Sequence, residues 1–283
     1  MSLNFLKTLP QYVVPQHGLS RLMGKLAQLE KPVALKNSMI SAFVKHYGVN
    51  MAEAREPDFR QYASFNAFFT RHLRPDARRI DASLSTIVSP ADGAISAIGR
   101  IQSGTLLQAK GHTYTLTALL GGDENAARPF AAGHFMTAYL SPRDYHRVHM
   151  PFSGRLDRMI YVPGKLFSVN TRTTEQVPQL FARNERVISY FQTDQGPMAV
   201  IMIGAMIVAS MATTWAGVLT SPKDRNLHTQ DYDGSLFLAK GDEIGYFQLG
   251  STVIVLFSSS KMQWLPEMIA QREIRMGQII GYV

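Results

Sequence analysis

Between Asp194 and Lys223 the chain carries no charged side chain, and from Met198 to Leu219 it is largely apolar. A stretch of that kind has to be hidden from water on nearly every side, as a membrane span or as strands of a sheet covered on both faces. The residues favour the sheet. Pro197 and Gly204 break the run, Ser210, Thr213 and Thr214 interrupt it with hydroxyls, and the preceding Asp194-Gln195-Gly196 suits a hairpin turn.

The pattern from about Thr86 onward agrees. Short apolar runs at 94–101, 135–140, 156–162, 187–193, 200–203, 207–215, 244–248 and 253–257 are separated by Gly, Pro, Asn and Asp, which predicts strands. Upstream, apolar residues recur at helical spacing in Leu19, Leu22, Met23, Leu26 and Leu29 and again in Leu35, Met39, Phe43 and Tyr47. Phe65, Phe68, Phe69 and Leu73 make a third such group, stopped by Pro75. The expectation is an α+β fold, mainly β: a compact β-sandwich or barrel-like catalytic core over 63–283, with amphipathic helices in a basic segment 1–62. A chain of 283 residues with 46% hydrophobic content can bury such a core. A faint glycine-bounded repeat, 241–247 against 277–283, fits a sandwich-like barrel. It has no lysine at a hairpin tip, which argues against a swinging-arm carrier domain.

The net charge of +8 is concentrated at one end. Residues 1–50 hold Lys7, Arg21, Lys25, Lys31, Lys36 and Lys45 against Glu30, a balance of +5. The two basic helices dock on a core of their own or lie on a membrane surface. At about 1 kcal/mol per basic residue, charge would supply at most roughly 5 kcal/mol there, little more than the ~4 kcal/mol of a millimolar complex. Apolar insertion therefore has to contribute. The absence of cysteine excludes disulfides and thiolate chemistry, and with no recognisable signal peptide the cytoplasm is the expected compartment.

Chemistry is suggested by Leu249-Gly250-Ser251-Thr252, set between two strand-like runs. If the fold strains the Gly250–Ser251 bond, the serine hydroxyl can attack the Gly250 carbonyl, pass the chain through an ester and break the backbone by β-elimination. A serine that keeps its proton is a poor nucleophile, so a histidine and an orienting carboxylate are needed. Candidates lie in Leu140-Ser141-Pro142-Arg143-Asp144-Tyr145-His146-Arg147-Val148-His149-Met150-Pro151 and in Ser89-Pro90-Ala91-Asp92-Gly93. Taken singly, Asp92-Gly93 is also an ordinary turn pair and His149 an ordinary core histidine. His146 and His149, three apart, would share a face of a helix, which raises a zinc site; no third ligand is evident and Arg147 opposes a cation.

Together and in this order, these three segments resemble the signature segments of the phosphatidylserine decarboxylases, the bacterial type in particular. The resemblance runs from about Phe65 to the C-terminus and includes Gly164-Lys165-Leu166-Phe167-Ser168-Val169-Asn170. It implies a zymogen that cleaves itself at Gly250–Ser251 with Asp92, His149 and Ser251, giving a β chain 1–250 and an α chain 251–283 that begins with a covalent pyruvoyl group. That group would capture the substrate amine as a Schiff base, lose carbon dioxide and yield phosphatidylethanolamine. His146 is implied in decarboxylation, by proton delivery or substrate binding. Lys165 would meet the anionic head group and Phe167 line a lipid slot. The resemblance further implies a homodimer, peripheral on the cytoplasmic face of the inner membrane, with anionic phospholipid rather than nucleic acid as partner and no metal. The alternatives are a serine hydrolase using Asp92, His149 and Ser251 without self-cleavage, though Gly-x-Ser-x-Gly is absent, and a non-enzymatic membrane-binding module. Residues 221–238 match no motif.

Overall fold

A computed structural model of the chain describes residues 10–13, 15–109, 112–206, 210–220, 226–248 and 251–283, without the side chains of Pro10, Val13 and Ser251. At its centre is the Ser251–Phe257 strand, antiparallel to His134–Leu140 on one side and to Gly196–Ile203 on the other. Val253, Val255 and Phe257 enter one apolar core and Ile254 and Leu256 a second, so neither face of the strand meets water. Burial on both faces is why these strands read as continuous apolar runs instead of alternating ones.

The large sheet runs in space as His228–Asp231, Gly154–Val162, Arg186–Thr193, Gly196–Ile203, Ser251–Phe257, His134–Leu140, Gly93–Arg100 and Glu273–Ile274, with Phe237–Leu238 added beside Gly154–Val162. A four-stranded sheet of Gly217–Leu219, Met211–Thr213, Glu243–Phe247 and Arg147–His149 contributes Val148, Met211, Ile244 and Phe247 to the first core. Leu116, Phe130, Phe167, Leu180 and Phe181, from short helices and loops, close the second. The fold is α+β and mainly β, and none of the sheets closes into a barrel.

The charge-free stretch supplies Gly196–Ile203, which follows Arg186–Thr193 through a two-residue turn and is buried over its last six residues. Of the run at 207–215 only Met211–Thr213 is a strand; residues 207–209 lie outside the described ones. Among the described residues, no helix is long and apolar enough to cross a membrane.

The N-terminal helices are Gln16–Ala27, Val33–Tyr47 and Phe65–Phe69. Gly48 ends the second in the left-handed region, at φ +67°. Ser64 caps the third, its hydroxyl accepting from the Ala67 amide at 3.1 Å, and that helix stops at Phe69, short of Leu73. Ala27, Ile40, Phe65, Phe68 and Phe69 share one core, so the third helix packs with the first two.

The first helix turns the leucine stripe outward. Its buried residues are Gln16, Ser20, Gly24 and Ala27, while Leu22, Leu26 and Leu29 are 55%, 39% and 42% exposed. Val33 and Leu35 of the second helix are exposed as well. Lys36 is buried, its ammonium donating to the carbonyls of Arg60 and Tyr62 at 2.9 and 2.5 Å. One of the six cations counted toward a basic surface is therefore committed to the interior.

Candidate active site

Three residues separate Phe247, the end of its strand in the smaller sheet, from Ser251, the first residue of the central strand of the larger one. The chain thus changes sheets between Phe247 and Ser251. Leu249, Gly250 and the Ser251 side chain are outside the described residues. The Ser251 backbone pairs with Leu140, and Ala94 pairs with Tyr139 on the far side of that same strand. The Ser89–Gly93 segment and the start of the central strand therefore flank the end of His134–Leu140. Gly93 is required there, because a Cβ at its φ of +151° would sit 2.2 Å from the Tyr139 carbonyl oxygen.

Arg147–His149 reaches the same place through the smaller sheet. The His149 amide donates to the Pro90 carbonyl at 2.8 Å, and the Phe247 amide donates to the His146 carbonyl at 3.0 Å. The spacing of three does not put the two histidines on one helix face, because the segment is extended.

Asp92 is nearly buried and its carboxylate is fully engaged. Arg78 donates Nε to Oδ1 at 3.0 Å and Nη2 to Oδ2, and the Met276 amide donates to Oδ1 at 2.8 Å. Arg78 also donates to Glu53 at 2.8 Å. Burial alone would lower the pKa of Arg78, but its hydrogen bonds and charge contacts with Asp92 and Glu53 raise it instead. The expected carboxylate-to-imidazole contact is thus replaced: among the described residues no hydrogen bond joins Asp92 to His149.

A carbonyl orients His149 in its stead. Its Nδ1 donates to the Gly241 carbonyl at 2.8 Å, which leaves Nε2 as the acceptor, and the Tyr145 hydroxyl lies 3.0 Å from Nε2. Burial holds the pKa of the ring below that of a free imidazole, opposed in part by the Gly241 carbonyl and the charges of Glu243 and Asp92. His149 is therefore a neutral base at pH 7.

His146 is completely buried. Its Nδ1 donates to the Asp144 carbonyl at 2.8 Å, and its ring packs on Phe69 with centroids 4.0 Å apart. Nε2 has no partner. Burial, assisted by the Arg71 charge, lowers its pKa to about 3, so this ring too is neutral and presents an unused lone pair. A cavity of about 880 Å³ is lined by Arg71, Asp92, Gly93, Tyr139, Ser141, Asp144 and Tyr145 among others.

Lys165 and Phe167 sit at a second, smaller cavity of about 390 Å³ under the first helix, with Tyr12, Arg21 and Arg183. Lys165 is exposed, whereas Phe167 is buried against Tyr12, ring centroids 5.0 Å apart. Gln16 fixes this loop by accepting from the Leu166 amide at 2.8 Å.

Sequence reasoning does not find Arg78, Tyr145 or Gly241 as partners. Tyr145 stands inside the histidine segment and could have been weighed; a backbone carbonyl leaves no mark in a sequence.

A family model described as Phosphatidylserine decarboxylase matches residues 65–282, and a second, described as PSD, matches residues 6–48. The chain is 52% identical over 281 residues to a protein of Marinobacter nauticus, covering 99% of this chain and 98% of that one. It is 54% identical to one of Ectopseudomonas mendocina, with 96% of each covered. To one of Bordetella pertussis it is 53% identical, with 96% of this chain and 92% of that one covered. All three carry the curated name phosphatidylserine decarboxylase proenzyme.

Proposed function

From the premise that the chain belongs to the phosphatidylserine decarboxylase family, we propose roles for the residues of its site and a setting for its chemistry. The activity is that of a self-processing carboxy-lyase, converting phosphatidylserine to phosphatidylethanolamine and carbon dioxide.

In the processing step Ser251 is the nucleophile toward the Gly250 carbonyl. His149 accepts the hydroxyl proton at Nε2, which requires the Tyr145 hydroxyl to turn away, and the Gly241 carbonyl keeps the ring in its Nδ1–H tautomer. Asp92, fixed by Arg78 and the Met276 amide, supplies negative charge that favours the imidazolium as it forms. Elimination then expels the Gly250 carboxylate and leaves residue 251 as a dehydroalanine, whose imine tautomer is hydrolysed by water to a pyruvoyl group with release of ammonia. One observation carries this reading: the Asp92 turn, the Arg147–His149 strand and the start of the Ser251 strand converge at the point where the chain changes sheets.

The unpartnered Nε2 of His146, whose neighbours Asp144 and Tyr145 line the larger cavity, fits a reactive carbonyl at position 251, since a buried lone pair can accept a proton from a substrate amine or hold one for return. Once formed, the pyruvoyl group supplies an electron sink for loss of carbon dioxide. His146 orients the amine and relays the proton to the former α-carbon. Phe69 holds its ring in place.

The outward leucines of the first helix, with Val33 and Leu35 and the cations Arg21, Lys25, Lys31 and Lys45, form the surface that meets an anionic membrane. The association is peripheral, on the cytoplasmic leaflet. Lys165 meets lipid head groups at that surface and Phe167 lines the slot beneath it. No observation favours a serine hydrolase, in which Asp92 would orient the His149 ring.

Intact-mass measurement of the purified protein tests the core of this proposal. Two pieces are expected, 1–250 and a 251–283 fragment with a blocked amino terminus, and Ser251→Ala should give one inactive chain. Decarboxylation by a chain whose 250/251 linkage is unbroken would overturn it.

A further inference from the structure

Four arginines in the described residues are nearly buried, and three of them are fully provided for. Arg78 and Arg147 are paired with carboxylates, and Arg186, 2% exposed, donates to the carbonyls of Ala118, Leu119, Ala182 and Asn184. Arg71 is different. It is 4% exposed, forms no ion pair within 4 Å among the described residues, and leaves both Nε and Nη1 without a hydrogen-bond partner, its Cζ lying 5.4 Å from the centre of the Phe68 ring. Only Nη2 is used, donating to the carbonyls of Arg143 and Asp144 at 3.1 and 3.3 Å.

A buried guanidinium with idle donors is costly unless something pays back its lost hydration. Arg71 lines the larger cavity together with Asp92, Gly93, Tyr139 and Tyr145. Tyr139 and Ser141, also in the wall, flank Leu140, the register partner of Ser251. Arg71 therefore shares a cavity with residues on either side of the one that pairs with Ser251. Nε and Nη1 lie on different edges of the guanidinium, so each offers a single charge-assisted hydrogen bond to an anionic oxygen.

Phosphatidylserine carries two anions, a carboxylate and a phosphodiester. The carboxylate is consumed as carbon dioxide, and an ion pair to it would hold the ground state back from the transition state. The phosphodiester keeps its charge throughout. Resting on the proposed decarboxylase reading, we infer that Arg71 binds the phosphodiester of the substrate through one of its two idle donors, Nε or Nη1, and so selects phosphorylated amino acid head groups from other amines. Because Asp144 accepts from both Arg71 and His146, the same contact positions the phosphate against the imidazole.

The test is calorimetric titration of the processed enzyme with dihexanoylphosphatidylglycerol, which has the phosphodiester but neither amine nor carboxylate, beside dihexanoylphosphatidylserine. Arg71→Gln should weaken both by about ten-fold or more, as expected for a lost charge-assisted hydrogen bond, with Arg71→Lys restoring part of the affinity. In kinetics the loss should appear in KM more than in kcat. No binding of dihexanoylphosphatidylglycerol to the unsubstituted enzyme, a loss confined to dihexanoylphosphatidylserine, or no loss at all would overturn the inference. So would failure of both variants to fold or process, which would leave the guanidinium only the task of holding residues 143–144. The mass measurement on the unsubstituted enzyme reports separately on self-processing, so the two readings fail independently.

Discussion

Arg78 grips both carboxylate oxygens of Asp92 and also reaches Glu53, so one guanidinium anchors the acidic corner of the site. Replacing it leaves a buried carboxylate uncompensated. Arg78→Met is expected to cost about 3–5 kcal/mol of unfolding free energy, read by urea titration, and to slow appearance of the 251–283 fragment. Arg78→Lys should cost less, because it keeps the charge and loses only the fork.

The two histidines separate by stage. His149→Gln should stop processing and leave a single chain. His146→Gln should still give two fragments while decarboxylation falls by roughly 10²-fold or more, the usual worth of a positioned acid or base. Fragment masses and carbon dioxide release distinguish these outcomes.

Burial lowers the pKa of both rings, that of His146 to about 3. Between pH 6.5 and those lower values the unfolded chain binds protons that the folded one refuses. Stability is therefore fully present above about pH 6.5 and is lost as pH falls through that window. His146→Gln should flatten the pH dependence of urea stability between pH 6.5 and about 5, above the range where carboxylates titrate. For the same reason His149 stays an unprotonated base below pH 6.5, and processing should persist there.

Leu22, Leu26 and Leu29 touch water rather than core. Changing all three to Ser should leave the melting temperature nearly unchanged, as surface substitutions usually shift stability by less than about 0.5 kcal/mol each. Binding to vesicles containing anionic lipid should drop sharply, since each leucine takes several methylenes worth ~0.8 kcal/mol apiece into the interface. Added salt should weaken what remains. Vesicle co-sedimentation and thermal melts measure the two effects separately.

The strands at 187–193, 200–203 and 253–257 were legible because enclosure on both faces leaves an uninterrupted apolar signature. The segment at 207–215 was not, since Met211–Thr213 is shaped by pairing with Gly245–Phe247, a partner remote in sequence. Periodicity marked the first helix but not its orientation: Gly24 and Ala27 permit close approach, so the small face went inward and the leucines outward. Asp92, His146 and His149 stood out by their segments, which converge at one strand end. Arg78 carried no signal, being one arginine in a run with Arg74 and Arg79. The role of Gly241 is that of an oxygen every residue possesses.

The strand that begins at Ser251 is not at a sheet edge; it forms seven register pairs with one neighbour and six with the other. A nick at its first residue would turn a single-chain fold into a two-chain complex held by interior contacts. Melting would then become a dissociation, with a midpoint that rises with protein concentration, and recovery after heating would require the pieces to meet again in a second-order step.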